Sequence, residues 1–321
     1  VSYVLLVVGC AMLYFGAEWL VAGASRLALA FRIPQLIVGL TVVAYGTSLP
    51  EVIVGVEAAM GGHGGIALGN VIGSNIANIG LVLGGAVLVR PPRADGALWR
   101  REIPILIAAT AALPLVLWDG VVSAREGTAL LVAAVTHTIW MVRGATIGSE
   151  LREARSSTAA TAEASDLAGG PAPKGKNRDV LITVLGLGAL LVGGKIFVGA
   201  AAALAMAWGM SERLVGLTVV AVGTSLPELA TTLVAAARGH SDIAIGNVIG
   251  SNIFNVLLCL GAAAIVGSVV VRPADFLVDL YFLGGMTLAG VAFIRGNRML
   301  HRVEGAVLLG AYASFVVLAA R

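Results

Sequence analysis

The chain has 321 residues, 58% of them hydrophobic and only 12% charged, with a mean hydropathy of +0.95. A soluble domain carries about 25% charged residues, so this composition excludes a water-soluble globular protein and calls for immersion in a bilayer. The net charge of +3 and the pI near 9.1 do not point to nucleic acid, because the basic residues lie between apolar spans rather than on one face or in one run.

The opening VSYVLLVVGC has no basic n-region and no A-x-A site, and reads as a first membrane span rather than a cleaved signal. A helical span needs about 20 apolar residues. Ten are predicted, near residues 3–30, 34–61, 65–90, 102–119, 121–143, 179–208, 212–238, 242–271, 275–295 and 302–320. Between the fifth and sixth lies a polar stretch rich in Ala, Ser, Gly and Pro, residues 148–178, which reads as a linker. The predicted fold is an all-α integral membrane protein with five spans in residues 1–147 and five in 179–321. Loops after odd-numbered spans carry sixteen Lys and Arg residues and the opposite side four. The positive-inside rule then places both termini outside and the 148–178 linker in the cytoplasm, across a cell (inner) membrane.

One stretch occurs twice. VGLTVVAYGTSLPE at 38–51 returns as VGLTVVAVGTSLPE at 215–228, differing only at Tyr45 against Val222. IALGNVIGSNIANIGLVLG at 66–84 returns as IAIGNVIGSNIFNVLLCLG at 243–261, with the same offset of 177 residues. The chain is therefore two homologous halves. Five spans per half is an odd number, so the second half enters the membrane from the opposite side. The halves form an inverted repeat, an arrangement typical of secondary transporters with a mid-bilayer site at the repeat interface.

Each half carries a glutamate inside an apolar segment, Glu51 and Glu228. A carboxylate at mid-membrane costs about 2.5–3.5 kcal/mol on insertion scales. Two at matching positions are expected to meet at a cation site between the halves. In GTSLPE, Pro50 has no N–H for the carbonyl of Gly46, and Pro227 none for Gly223, so each helix is expected to kink or open there. Thr47 and Glu51 share a helix face, with Ser48 on its flank; Thr224, Ser225 and Glu228 repeat the set. Ser74 and Asn78 are i and i+4, as are Ser251 and Asn255. Gly69 with Gly73, and Gly246 with Gly250, are GxxxG pairs that permit close helix approach. All these ligands offer oxygen, which suits a hard cation such as Ca²⁺ or Na⁺. Two carboxylates balance one Ca²⁺ or two Na⁺, so the ions compete for the same acids, and competition is the physical basis of exchange.

GTSLPE followed by GNVIGSNI, twice, resembles the alpha repeats of the cation/Ca²⁺ exchanger superfamily, in particular prokaryotic sodium/calcium exchangers. The resemblance covers both halves and implies an antiporter that exchanges Na⁺ for Ca²⁺ by alternating access. It implies Ca²⁺ ligands at Glu51, Glu228, Thr47 and Thr224. It implies flanking Na⁺ sites at Ala44, Thr47, Ser48, Glu51 and Ser74, and at Ala221, Thr224, Ser225, Glu228 and Ser251. Some prokaryotic members carry Asp at the position of Asn255. Asn there removes a titratable group, which weakens a proton-coupled reading. The linker is too short for the regulatory Ca²⁺-binding domains of animal relatives.

The nearest rival is a Ca²⁺/H⁺ exchanger on the same fold; the hydroxyls of Thr47, Ser48, Thr224 and Ser225 favour Na⁺, since a proton needs no coordination shell. A cation channel is the rival from another class, and nothing here resembles a pore loop. No enzyme is expected: His63, His137, His240 and His301 are scattered, and there is no CxxC or HExxH. No cofactor, nucleic acid or protein partner is expected beyond the bilayer and the transported ions. Glu18 and Lys195 are also 177 apart and are expected to pair or to snorkel separately. Glu57 is expected at the cavity mouth or headgroups, and His63 and His240 in solvent.

Overall fold

The computed structural model describes residues 2–93, 96–159, 176–210, 221–297 and 300–319. Its helices are α1 (Ser2–Ala30), α2 (Gln35–Thr47), α3 (Leu49–Met60), α4 (Gly64–Val89), α5 (Gly96–Val116), α6 (Ala124–Ala159), α7 (Lys176–Ala207), α8 (Ala221–Thr224), α9 (Leu226–Ala237), α10 (Ser241–Val266), α11 (Leu277–Asn297) and α12 (Arg302–Ala319). The sequence repeat is also a structural one. The bounds of α3 and α9, and of α4 and α10, differ by the same 177 residues. Helix occupies both ends of the 148–178 stretch, because α6 runs to Ala159 and α7 begins at Lys176; its centre, 160–175, lies outside the described residues. The fold also contains a short antiparallel ribbon that an all-α reading omits. Val121 pairs with Val270 and Val122 with Val269, tying the end of α5 to the end of α10 through strands β1 (Val121–Val122) and β2 (Val269–Val270). Adjacent β-branched residues in two loops at span ends supply such a pairing.

Among the described residues six helices are long and apolar enough to cross a bilayer: α1, α4, α7, α10, the Pro273–Arg295 segment containing α11, and α12. The bent pair α2–α3, which turns by 44°, makes a seventh when taken as one span. The other predicted spans are less apolar. Arg100, Arg101 and Glu102 interrupt α5, and α6 carries Arg125, Glu126, His137 and Arg143. The span predicted at 212–238 begins in residues 211–220, outside the described residues.

Burial sorts the helices into two tiers. In α4 and α10, 78% and 83% of the apolar window is buried, against 33% in α1 and 28% in α7. A hydrophobic core built largely from α4, α5, α6, α10 and α11 surrounds the first pair. A second cluster joins α1 and α7 to α2 and α9. The outer faces of α1 and α7 leave Val7, Phe15, Trp19, Val184 and Val192 exposed, as lipid-facing surfaces do.

α1 and α7 are repeat equivalents and they run antiparallel. Gly9 faces Phe197, Gly16 faces Leu190, and Gly23 faces Thr183. A Cβ on Gly16 would stand 2.8 Å from the Leu190 nitrogen and 2.9 Å from the Gly186 oxygen. Only glycine permits this backbone-to-backbone contact, which supplies dispersion where the bilayer supplies no hydrophobic driving force between helices.

Two titratable side chains, Glu18 and His240, have partners that the sequence expectation did not give them. Glu18 does not pair with Lys195. It takes a bidentate pair from Arg238, 2.9 Å to Nε and 2.8 Å to Nη2, while Lys195 is exposed. The repeat pairs residues by offset, whereas contact depends on how the helices cross. His240 is half-buried rather than solvated. It lies 3.2 Å from Gln35 Oε1, and burial pushes its imidazole pKa down. His63 and Glu57 are exposed.

A buried pair with no sequence signal links α5 to α6: His137 Nε2 lies 2.9 Å from Glu102 Oε2, with both residues almost fully enclosed. Glu102→Ala is expected to lower stability by about 1–3 kcal/mol by stranding the imidazole, read as a fall in melting temperature of the detergent-purified protein.

Candidate cation site

The site is built where each of two helices breaks. α2 stops at Thr47, and α3 starts at Leu49 after Ser48 leaves helical geometry at φ −82°, ψ 6°. In the second half, α8 stops at Thr224 and α9 starts at Leu226 after Ser225 at φ −87°, ψ 9°. Pro50 and Pro227 are the second residues of α3 and α9, where their missing N–H costs nothing. The breaks therefore place Glu51 and Glu228 in the first turn of a helix, whose free N–H groups favour negative charge.

The two halves exchange hydrogen bonds across the interface. Ser48 Oγ donates to Glu228 Oε1 at 3.0 Å, and Ser225 Oγ donates to Glu51 Oε1 at 3.3 Å. Thr47 also contacts the Glu228 carboxylate, and Thr224 that of Glu51. Glu51 is 1% exposed and Glu228 fully enclosed. The second oxygen of each carboxylate, Oε2, is buried without a hydrogen-bond partner, and among the described residues no Lys, Arg or His pairs with either acid. Unpaired buried charge costs several kcal/mol or more (about 3–5 by partner removal), so positive charge must come from outside the chain. No group of three or more His, Cys, Asp and Glu stands among the described residues. The donor set is carboxylate, hydroxyl and amide oxygen, which selects a hard cation over a transition metal.

Helices α4 and α10 supply the floor. Ser74, Asn78, Ser251 and Asn255 are all buried there. Among the described residues none of the four hydrogen-bonds to a carboxylate. Both amide atoms of Asn78 and the hydroxyl of Ser251 are buried without partners, so Asn78 Oδ1 and Ser251 Oγ retain free lone pairs for a cation. Asn255 is instead engaged: its Nδ2 donates to Asn75 Oδ1 at 3.1 Å, and its Oδ1 accepts from Cys259 Sγ at 3.4 Å. Asn78 and Asn255 each open a π-helical turn, Asn78–Leu83 and Asn255–Leu260. Such widened turns shift backbone hydrogen bonding and gather at functional sites. Ala44 is buried on α2. Ala221 opens α8, and its side chain lies outside the described residues.

The GxxxG pair of α10 performs as its spacing predicts. A Cβ on Gly246 would lie 2.8 Å from the Leu36 oxygen, and one on Gly250 2.7 Å from the Leu40 oxygen and 2.8 Å from Ala44 Cβ. The first half of α10 thus lies directly on α2, which carries Thr47. For Gly69 and Gly73, the equivalent partner stretch is residues 211–220, outside the described residues.

Four further asparagines, which no spacing argument distinguishes, take part. Asn70 Nδ2 donates to the Glu51 carbonyl at 3.0 Å, and Asn247 Nδ2 to the Glu228 carbonyl at 3.4 Å. These amides brace the backbone on which each carboxylate stands. Asn247 does more: its Nδ2 also reaches Thr232 Oγ1 at 2.9 Å, and its Oδ1 accepts from Thr47 Oγ1 at 3.2 Å. Asn75 and Asn252 join α4 to α10, with Asn75 Nδ2 donating to the Asn252 carbonyl at 3.2 Å. Their signal was available, since the Asn of GNVIGSN recurs in both halves, but nothing in the spacing says that these amides serve backbone rather than cation. Asn247→Ala is expected to weaken cation binding about 10-fold, and Asn70→Ala less, because each amide steadies the backbone under a carboxylate and Asn247 also holds Thr47. Isothermal titration of the purified variants checks the order.

The sodium/calcium exchanger protein family matches residues 1–149 and 179–321. The inner membrane protein YrbG of Escherichia coli (strain K12) is 38% identical over 277 residues, covering 86% of this chain and 83% of YrbG. The sodium/calcium exchanger MaX1 of Methanosarcina acetivorans is 29% identical, covering 99% of this chain and 98% of MaX1. The solved structure of the sodium-calcium exchanger NCX_Mj soaked with 10 mM Na⁺ and zero Ca²⁺ superimposes with a TM-score of 0.83 at 30% identity, covering 98% of each chain.

Proposed function

Since the chain belongs to the sodium/calcium exchanger family, we propose that it is a secondary-active antiporter exchanging Na⁺ for Ca²⁺ by alternating access. One observation carries this reading: the reciprocal bonds Ser48–Glu228 and Ser225–Glu51, which bring two buried carboxylates without basic partners to one interface. One Ca²⁺ is balanced by the two acids. Two Na⁺ are balanced by the same acids, with the hydroxyls of Thr47, Ser48, Thr224 and Ser225 supplying neutral ligands, and a third Na⁺ leaves the site at +1. Neither ion set can hold the carboxylates while the other does, so loading one side with Na⁺ releases Ca²⁺ there.

The architecture is part of the proposal. Residues 1–147 and 179–321 are two five-span repeats of opposite orientation joined through 148–178, with ten spans in all. The antiparallel packing of the equivalent helices α1 and α7 supports inversion. The excess of Lys and Arg in the odd-numbered loops supports termini outside and 148–178 in the cytoplasm. Ala44, Ala221, Ser74, Ser251, Asn78 and Asn255 are assigned to flanking Na⁺ ligation or to its support. The free polar atoms of Asn78 and Ser251 favour direct roles for these two.

The test is uptake of radioactive Ca²⁺ into proteoliposomes loaded with Na⁺ and diluted into Na⁺-free buffer. Uptake is expected to require the outward Na⁺ gradient. Uptake driven by a pH gradient and indifferent to Na⁺ would replace Na⁺ coupling with proton coupling. Ca²⁺ flux without countertransport would indicate a channel.

A further inference from the structure

We infer that the groove between α1, α7 and the C-terminal end of α9 holds the zwitterionic headgroup of a phospholipid, with its phosphate on Arg26 and Arg238 and its ammonium beside Glu18. The groove encloses about 530 Å³. It lies on the outer side of two membrane-crossing helices, away from the cation site.

Two guanidinium groups line it, each aimed by an acid. Arg26 donates from Nε to Asp179 Oδ1 at 2.7 Å, and its terminal nitrogens make no hydrogen bond among the described residues. Arg238 is clamped by Glu18. Their side chains remain 48% and 59% exposed. Arg26, held through Nε with its outer N–H groups open, is preorganised for a phosphate, which a guanidinium grips through paired hydrogen bonds, and Arg238, held by Glu18 through Nε and Nη2, adds a second fixed positive charge beside it.

The acids also set the headgroup class. Arg26 and Arg238 are matched by Asp179 and Glu18, so the groove is neutral as a whole. A headgroup with net negative charge would meet Glu18, which lines the groove at 21% side-chain exposure. A headgroup with one phosphate and one primary ammonium satisfies both signs.

Tyr14, Phe15 and Trp19 complete the site. All three are about half exposed, and Tyr14 and Phe15 lock edge to face at 5.3 Å. Aromatic side chains of this kind sit at headgroup level, with an apolar body toward the acyl chains. Ile182 and Leu185 of α7 supply apolar wall between these aromatics and Arg26. A lipid seated here would bridge α1 and α7 to α9, the helix whose first turn carries Glu228.

The experiment is native mass spectrometry of the detergent-purified protein with added ethanolamine-headgroup or glycerol-headgroup phospholipid. The wild type is expected to retain one ethanolamine-type lipid in preference to the glycerol type, and the Arg26→Gln/Arg238→Gln double variant to lose about five-fold or more of that adduct. Leu185→Trp fills the groove without touching a charge, and it is expected to reduce the adduct as well; it decides the matter where the double variant does not fold. Equal adducts in the wild type and both variants would overturn the site. Preference for the glycerol headgroup would overturn the zwitterionic assignment. Displacement of the lipid by millimolar inorganic phosphate would show a simple anion site and overturn the lipid one.

Discussion

Glu228→Gln is expected to abolish Na⁺-driven Ca²⁺ uptake, with a loss of at least about 100-fold. Glutamine is nearly isosteric, and its amide oxygen can still accept from Ser48. The substitution therefore removes charge while leaving shape. Removing one partner of a buried charge pairing costs about 3–5 kcal/mol, which is about 2–4 decades in affinity for a dication. The sign of the stability change separates binding from folding. Glu228 is fully enclosed and has no basic partner, so its neutral substitute is expected to leave the cation-free protein as stable as the wild type or more so. Ca²⁺ should raise the melting temperature of the wild type and not that of the variant, because ligand stabilisation follows affinity. Glu51→Gln is expected to behave alike, because Ser225 stands to Glu51 as Ser48 stands to Glu228. A Glu51→Gln variant with full transport beside an inactive Glu228→Gln would refute a site shared by the two halves.

Gly250→Leu is expected to remove both folded yield and transport. A Cβ there would meet the Leu40 oxygen at 2.7 Å and Ala44 Cβ at 2.8 Å. The first contact is backbone and cannot rotate away, so α10 must leave α2. Overpacking a close contact costs about 1–3 kcal/mol and more where backbone blocks relaxation. The displacement would also pull Asn247 from Thr47, which it meets at 3.2 Å. Gly188→Ala is the control. Gly188 is exposed on α7 with open space where a Cβ would go, so alanine should be neutral or slightly stabilising through helix propensity. Size-exclusion profiles and melting temperatures of the two variants check the contrast.

Much of the candidate site is legible in the sequence because the chain repeats it. Glu51 and Glu228 stand out by their cost in an apolar segment. Thr47, Ser48, Thr224 and Ser225 followed from helical spacing, and Pro50 and Pro227 announced the breaks. The bracing amides were not legible. Asn70 and Asn247 carry the same side chain as Asn78 and Asn255, and only the path of the backbone decides which amide faces a carbonyl. Glu18 shows the same limit. Its repeat equivalent is Lys195, yet the side chain reaches Arg238, because α1 crosses the end of α9. The Glu102–His137 pair is not repeated as a pair, because Asp279 stands at the position equivalent to Glu102 but Ser314 at that of His137.

By itself the sequence determined what a linear code can carry: membrane immersion from composition, two halves from self-similarity, and the chemistry of the donor set from two buried acids among hydroxyls and amides. These are local or periodic properties, set by side-chain type and spacing along a helix. Tertiary structure decided everything that depends on how helices cross. Each serine serves the opposite half's carboxylate rather than its own. Asn255 is tied to Asn75 while Asn78 stays open, so equivalent residues stand in unequal surroundings. The physical reason is that helix crossing is fixed by glycine contacts such as Gly16 with Leu190 and Gly250 with Leu40. Those contacts join residues far apart in the chain, and no spacing within either helix encodes its partner.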